Sequence, residues 1–247
     1  MNEITPAAQR QALAEQHRQS SAGSRRRSRR QATRLKLLRL WGERYPKTPP
    51  DAPPQRILVI RPDHLGDLLF ATPAMRMLRA SFPDAYIAAL VGPWGEAVLA
   101  GNADIDAILT CPFPGFTRQP KDSPLEPYRQ LRSEACRLAA MQFDLALVLR
   151  FDHWWGAWLA AAAGIRQRVG YDVAEVQPFL TRAIHYVPGR HEVVQNLALA
   201  LAAGEGERLA VNGERLSAIG ERLAANNPGG QDGDWGLRFT ITLLYPR

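Results

Sequence analysis

The chain is organised as short, unbroken apolar runs separated by stretches with helical periodicity. The first run, Arg56-Ile57-Leu58-Val59-Ile60, is apolar after its first residue and rich in β-branched side chains, as expected of a strand covered on both faces of a parallel sheet. After a loop from Arg61 to Gly66 the period changes to that of a helix, from about Asp67 to Ser81. Leu68, Leu69, Pro73, Met75, Met77 and Leu78 fall mostly on its apolar face, with Arg76 and Arg79 outward. Pro73 is tolerable in the first turns, although it would bend a longer helix. The pattern then predicts strands over Tyr86 to Val91 and Ile105 to Thr110, with a short helix from about Glu96 to Ala100 between them. Pro112 to Pro127 is proline-rich and aperiodic, a long loop. A helix over Leu125 to Met141, a strand over Phe143 to Leu149, a helix around Trp154–Ala163 and a strand near Gln167–Tyr171 continue the alternation. His191 to Ala203 and Glu207 to Ala225 read as two further helices.

This alternation predicts an α/β fold: a Rossmann-like open parallel sheet with helices on both faces, spanning residues 56–225. In such sheets ligands sit beyond the carboxyl ends of the strands, which points to the loops Arg61–Asp67 and Arg150–Trp155. No internal repeat is visible.

Charge changes the picture at the N-terminus. Of 31 Lys+Arg and 24 Asp+Glu in 247 residues, residues 1–55 hold 12 and 4, so the basic pI of about 9.9 belongs to an arm and the rest is close to neutral. Residues 1–33, polar and carrying the run Ser24-Arg25-Arg26-Arg27-Ser28-Arg29-Arg30, are expected to be disordered. They are not a secretory signal, because no uninterrupted apolar segment follows the bases. Arg34-Leu35-Lys36-Leu37-Leu38-Arg39-Leu40-Trp41 reads as a short amphipathic helix, and Pro46 to Pro54 as a stiff linker. Three readings of the arm stay open: a solvated leader with its helix packed on the domain, an interfacial helix on anionic headgroups across residues 24–44, and nucleic-acid binding. No base-stacking aromatics or reading motif accompany the charge, which disfavours the last.

Two cysteines, Cys111 and Cys136, are too few for a disulfide framework, and the five histidines lack ligand spacing, so no metal is expected. No apolar run approaches the length of a membrane span. The first loop has a single glycine, Gly66, and is not a dinucleotide fingerprint. Asp67 stands where the following helix begins. It reads either as a cap of that helix or as a general base at the ligand edge of the sheet. Arg150 and Arg168 could bind oxyanions or serve as ordinary paired arginines. Trp154, Trp155 and Trp158 could line a sugar site, though helical core packing is the default, and His191 reads as opening a helix.

Arg61-x4-Gly66-Asp67-x-Leu69-x2-Thr72-Pro73-Ala74, with Leu78-Arg79 and Phe82-Pro83, resembles the N-terminal signature of the family 9 glycosyltransferases, which include the ADP-heptose:lipopolysaccharide heptosyltransferases. Phe143-Asp144-Leu145 with Arg150-Phe151-Asp152, then Arg168-Val169-Gly170-Tyr171, then His191-Glu192-Val193 with Asn196-Leu197, resemble later blocks in the expected order. The resemblance implies the N-terminal, acceptor-binding half of a GT-B fold and an inverting transfer that needs no metal or cofactor. Asp67 would be the catalytic base, and Arg61, Asp63, Gly66, Arg150 and Arg168 would bind the acceptor. ADP-heptose would be the donor substrate. The acceptor would be the lipopolysaccharide inner core or a related anionic glycolipid, met in the cytoplasm or peripherally at the inner membrane; no nucleic-acid partner is implied. Residues 226–247 read as a linker and the first strand of a donor domain whose remainder is missing, so the chain alone is expected to be weakly active or inactive. The alternative is a non-catalytic module that binds an anionic glycan or lipid.

Overall fold

The structure is a computed structural model that describes residues 31–47, 53–117, 123 and 125–204. The expectations for residues 1–30, for the helix over Glu207 to Ala225 and for residues 226–247 lie outside the described residues. Two compact units divide at Arg44 and Tyr45. The first contributes one described helix, α1 (31–42).

In the second unit six parallel strands form one sheet: β1 (Arg56–Arg61), β2 (Tyr86–Val91), β3 (Ala107–Thr110), β4 (Leu145–Val148), β5 (Gln167–Tyr171) and β6 (Arg182–Ile184). Their spatial order is β3-β2-β1-β4-β5-β6, with Ile57 to Arg61 opposite Ile87 to Val91 on one side and Ile57 to Ile60 opposite Leu145 to Val148 on the other. All three central strands are buried beyond their first residues, which is why their sequences read as continuous apolar runs.

Alternate residues of each strand face opposite layers. Ile57, Val59, Ile87, Ala89, Leu145 and Leu147 share a core with residues of α3 (Thr72–Ser81) and α7 (Glu192–Gly204), including Met75, Leu78, Leu199 and Ala200. The other face is covered by α6 (Trp154–Ala162), against which α5 (Glu126–Ala140) packs.

The helix expected from Asp67 to Ser81 is two helices, α2 (Leu65–Leu69) and α3, broken at Phe70–Ala71. Pro73 lies in the first turn of α3, where its missing N–H costs no helical hydrogen bond, and the Thr72 hydroxyl donates to the Leu69 carbonyl (2.9 Å). A 3₁₀ turn (Pro93–Gly95) leads into the short α4 (Glu96–Leu99). The three-residue β6 carries too little periodicity to be read from sequence; it is recruited as a parallel partner of β5.

The sheet order fixes where a ligand can enter. From β1 the chain crosses to β2 on one side, and from β4 it crosses to β5 on the other, so the loops following these adjacent strands part and leave a crevice at their carboxyl ends.

Candidate functional site

Five charged side chains line up across this crevice with alternating sign. Arg61, the last residue of β1, is 2% exposed. Its Nη1 donates to Glu192 Oε1 (2.8 Å) and to Asn196 Oδ1 (3.3 Å), both on α7. One turn apart, Glu192 and Asn196 present their acceptors on the same helical face. Arg61 Nε pairs with Asp63 Oδ2 at 2.8 Å, an ionic contact not aligned as a hydrogen bond. The other oxygen of Asp63 accepts from Arg150 Nη1, and Arg150 Nε donates to Asp152 Oδ1 (2.6 Å). Asp63 is held from behind as well, because its carbonyl accepts from Trp94 Nε1 (2.7 Å), whose ring stacks on His64.

The outermost cation of this relay meets solvent. Arg150 is about one-third exposed (32%) and lies over the Phe116 ring at 5.2 Å. Partial burial works against its charge, but the hydrogen bond to Asp152 and the pairing with Asp63 outweigh that and raise its pKa. A cleft of about 400 Å³ opens beside it, lined by Phe116, Tyr128, Arg150, Asp152, His153 and Trp154 among others. His153, which precedes α6, is buried among Phe113, Phe116 and Trp155, and neither ring nitrogen has a hydrogen-bond partner among the described residues. Burial first, then the positive charge of Arg150, pushes its pKa down to about 3, so the ring is neutral at physiological pH.

Asp67 sits in the first turn of α2 and is exposed, with Gly66 beside it also exposed. No side-chain cap bond is made at that helix start. The carboxylate is therefore open to a ligand at the carboxyl edge of the sheet, flanked by the exposed apolar side chains of Leu65, Leu69 and Phe70. A Cβ on Gly66 would meet nothing within 4 Å, so neither packing nor backbone angle requires glycine there.

The structure thus brings Asp67, Gly66, Asp63, Arg61 and Arg150 to one edge, at two depths. Asp67, Gly66 and Arg150 are accessible, whereas Arg61 and Asp63 are buried, Asp63 bridging Arg61 and Arg150. Arg168 is not brought there. It is the second residue of β5, at the opposite end of the sheet, 1% exposed, with its guanidinium donating to the carbonyls of Ile165, Phe179 (2.5 Å) and Pro46 (2.6 Å). Trp155 and Trp158 are buried and bond Pro127 O and Tyr45 Oη, both at 3.0 Å, while Trp154 and part of Trp155 line the cleft. His191 opens α7, its Nδ1 accepting from Val193 N (3.2 Å).

The same architecture occurs in solved glycosyltransferases. A family 9 glycosyl transferase from Veillonella parvula superposes with a TM-score of 0.53 at 20% identity, covering 64% of this chain and 44% of that one. A heptosyltransferase from E. coli, solved with ADP-2-deoxy-2-fluoro heptose, gives a TM-score of 0.50 at 15% identity, covering 60% of this chain and 48% of that one. The chain shares the fold of these glycosyltransferases over the part they cover. It spans less than half the length of these relatives. No family model matches the sequence, and no curated protein does. Sequence reading assigns no role to Trp94 or Phe116, and takes Glu192 and Asn196 only as part of a resembling block, without their contacts to Arg61. Besides that block, the i, i+4 spacing of Glu192 and Asn196 is a signal that has meaning only once α7 is known to cross behind β1.

Proposed function

We propose that this chain is the acceptor-binding part of an inverting glycosyltransferase. In this reading the donor is a nucleotide-activated heptose, ADP-heptose, and the acceptor an anionic glycolipid of the lipopolysaccharide inner-core type. The observation that carries the reading is an exposed carboxylate, Asp67, sharing the carboxyl edge of a family 9-like sheet with a pre-oriented guanidinium, Arg150. Arg150 would hold an acceptor phosphate or carboxylate, the planar fork suiting either. Asp67 would take the proton from the acceptor hydroxyl as its oxygen bonds to the anomeric carbon; the sugar–diphosphate bond breaks on the opposite face and its electron pair leaves with the diphosphate. The base needs to be reachable, and Asp67 is exposed in the first turn of α2. Since such an acceptor is anchored in a bilayer, the work would be done in the cytoplasm at a membrane surface.

The test is titration calorimetry of the chain with an inner-core oligosaccharide against a neutral disaccharide of equal size. Preference for the anionic ligand, weakened about tenfold or more by Arg150→Ala, is the expected outcome. Equal affinity for both ligands would remove the anionic-acceptor reading. Asp67→Asn should leave this binding intact and abolish transfer in any form of the protein that turns over ADP-heptose and acceptor.

A further inference from the structure

The helix α1 (31–42) carries charge and apolar surface that the reaction does not use. At about 3.6 residues per turn, Leu37 and Leu40 lie on one flank; they are 46% and 57% exposed, while Leu38, on another side, is 3% exposed. Lys36 and Arg39 border that exposed flank on one side and Arg34 on the other, all three exposed. The apolar residues therefore do not form the single face that the sequence suggests; they divide, and one group is left facing solvent between bases. Immediately before the helix the sequence adds five arginines within residues 25–30, and Arg44 follows it.

We infer that α1 is a docking surface for an anionic lipid bilayer. Charge complementarity selects the occupant. Each Lys or Arg near such a surface contributes about 1 kcal/mol, and clusters of roughly four to eight bases on or beside an amphipathic helix suffice for binding. The two exposed leucines enter the headgroup boundary while Lys36, Arg39 and Arg34 reach the phosphates around them, an interfacial rather than a spanning arrangement. No helix among the described residues is long and apolar enough to cross a membrane. The inference deepens the proposed function by supplying the contact with the surface on which the acceptor sits, and it rests on that reading for its purpose only. Lipid binding is measured without donor or acceptor, so either claim can fail alone.

The experiment is flotation of the full chain with vesicles of phosphatidylethanolamine containing about one-third phosphatidylglycerol, compared with vesicles of phosphatidylcholine alone, at near-physiological salt. Binding to the anionic vesicles and not to the neutral ones is expected. Lys36→Glu/Arg39→Glu should weaken it about tenfold or more, and Leu37→Ser/Leu40→Ser should weaken it at a salt concentration where charge alone is screened. All of these positions are exposed, so each variant should melt with the parent chain. Absence of binding to anionic vesicles overturns the inference. So does binding untouched by either double variant, and so does retention by RNA with no vesicle binding, which would make the arm a nucleic-acid contact.

Discussion

Arg168 is a buried cation with no carboxylate beside it among the described residues; three backbone carbonyls hold it instead. Burial lowers its pKa to about 10. Removing the side chain strands those carbonyls and opens a cavity, so Arg168→Ala should destabilise by about 2–4 kcal/mol in chemical denaturation, with acceptor binding by the folded fraction unchanged. Arg168→Lys should not rescue it, because an ammonium cannot span three acceptors set in a plane. A short sequence block containing an arginine cannot distinguish this role from ligand binding; only the strand end at which the residue falls decides it. Asp152, 46% exposed, competes with any bound anion for Arg150. Asp152→Asn should tighten anionic acceptor binding by about two- to fivefold in the same calorimetric titration. Gly66→Ala offers a clean probe. With open space around the site, stability should change by less than about 0.5 kcal/mol, so any loss of acceptor binding would report close approach of a ligand to that backbone.

Among the elements, α6 has the least ordinary start. His153 packs its ring so closely on Gly156 that a Cβ there would lie 2.3 Å from Nδ1, and the same ring is walled by Phe113 and Phe116. Its folded pKa of about 3 lies below the ordinary value of 6.5, so the unfolded chain binds the extra proton between those limits. Stability from this group is complete above pH 6.5 and falls as the medium is acidified towards pH 3. Between pH 7 and 5 the loss should be on the order of 2 kcal/mol. His153→Phe, which keeps the aromatic packing, should flatten that part of the stability–pH curve in denaturant titrations. The existence of α6 and of β1, β2 and β4 was legible because each buries a continuous apolar run or stripe, whereas β5 (Gln-Arg-Val-Gly-Tyr) was legible from the strand–helix alternation. The break between α2 and α3 was half legible, in that Pro73 signals a new first turn but does not say that the preceding turn closes separately. The neutral state of His153 was not legible, since it depends on Phe113 and Phe116 arriving from a loop without period.

On the scale of the whole molecule, a parallel sheet with helices on its faces follows from the apolar runs of β1, β2 and β4 and the crossovers between them, whereas the order β3-β2-β1-β4-β5-β6 is seen only in the structure. The sheet class was open to inspection of the sequence, as was the carboxyl edge that carries Asp67 and Arg150. What the sequence concealed is depth: Arg61 and Asp63 belong to the same loops as Asp67 and Arg150, yet lie under the surface because α7 returns behind β1 with Glu192 and Asn196.

The segment Tyr45–Lys47 has a practical consequence for where this protein begins as a folding unit. The Tyr45 hydroxyl accepts from Trp158, the Pro46 carbonyl accepts from Arg168, and Lys47 donates to Pro178 O and Leu180 O. Three consecutive residues upstream of the first strand are thus moored to the far side of the sheet, and composition alone would have assigned them to a tether. A shortened version starting at Pro53 should melt about 5 °C or more below one starting at Tyr45, having forfeited every one of those bonds.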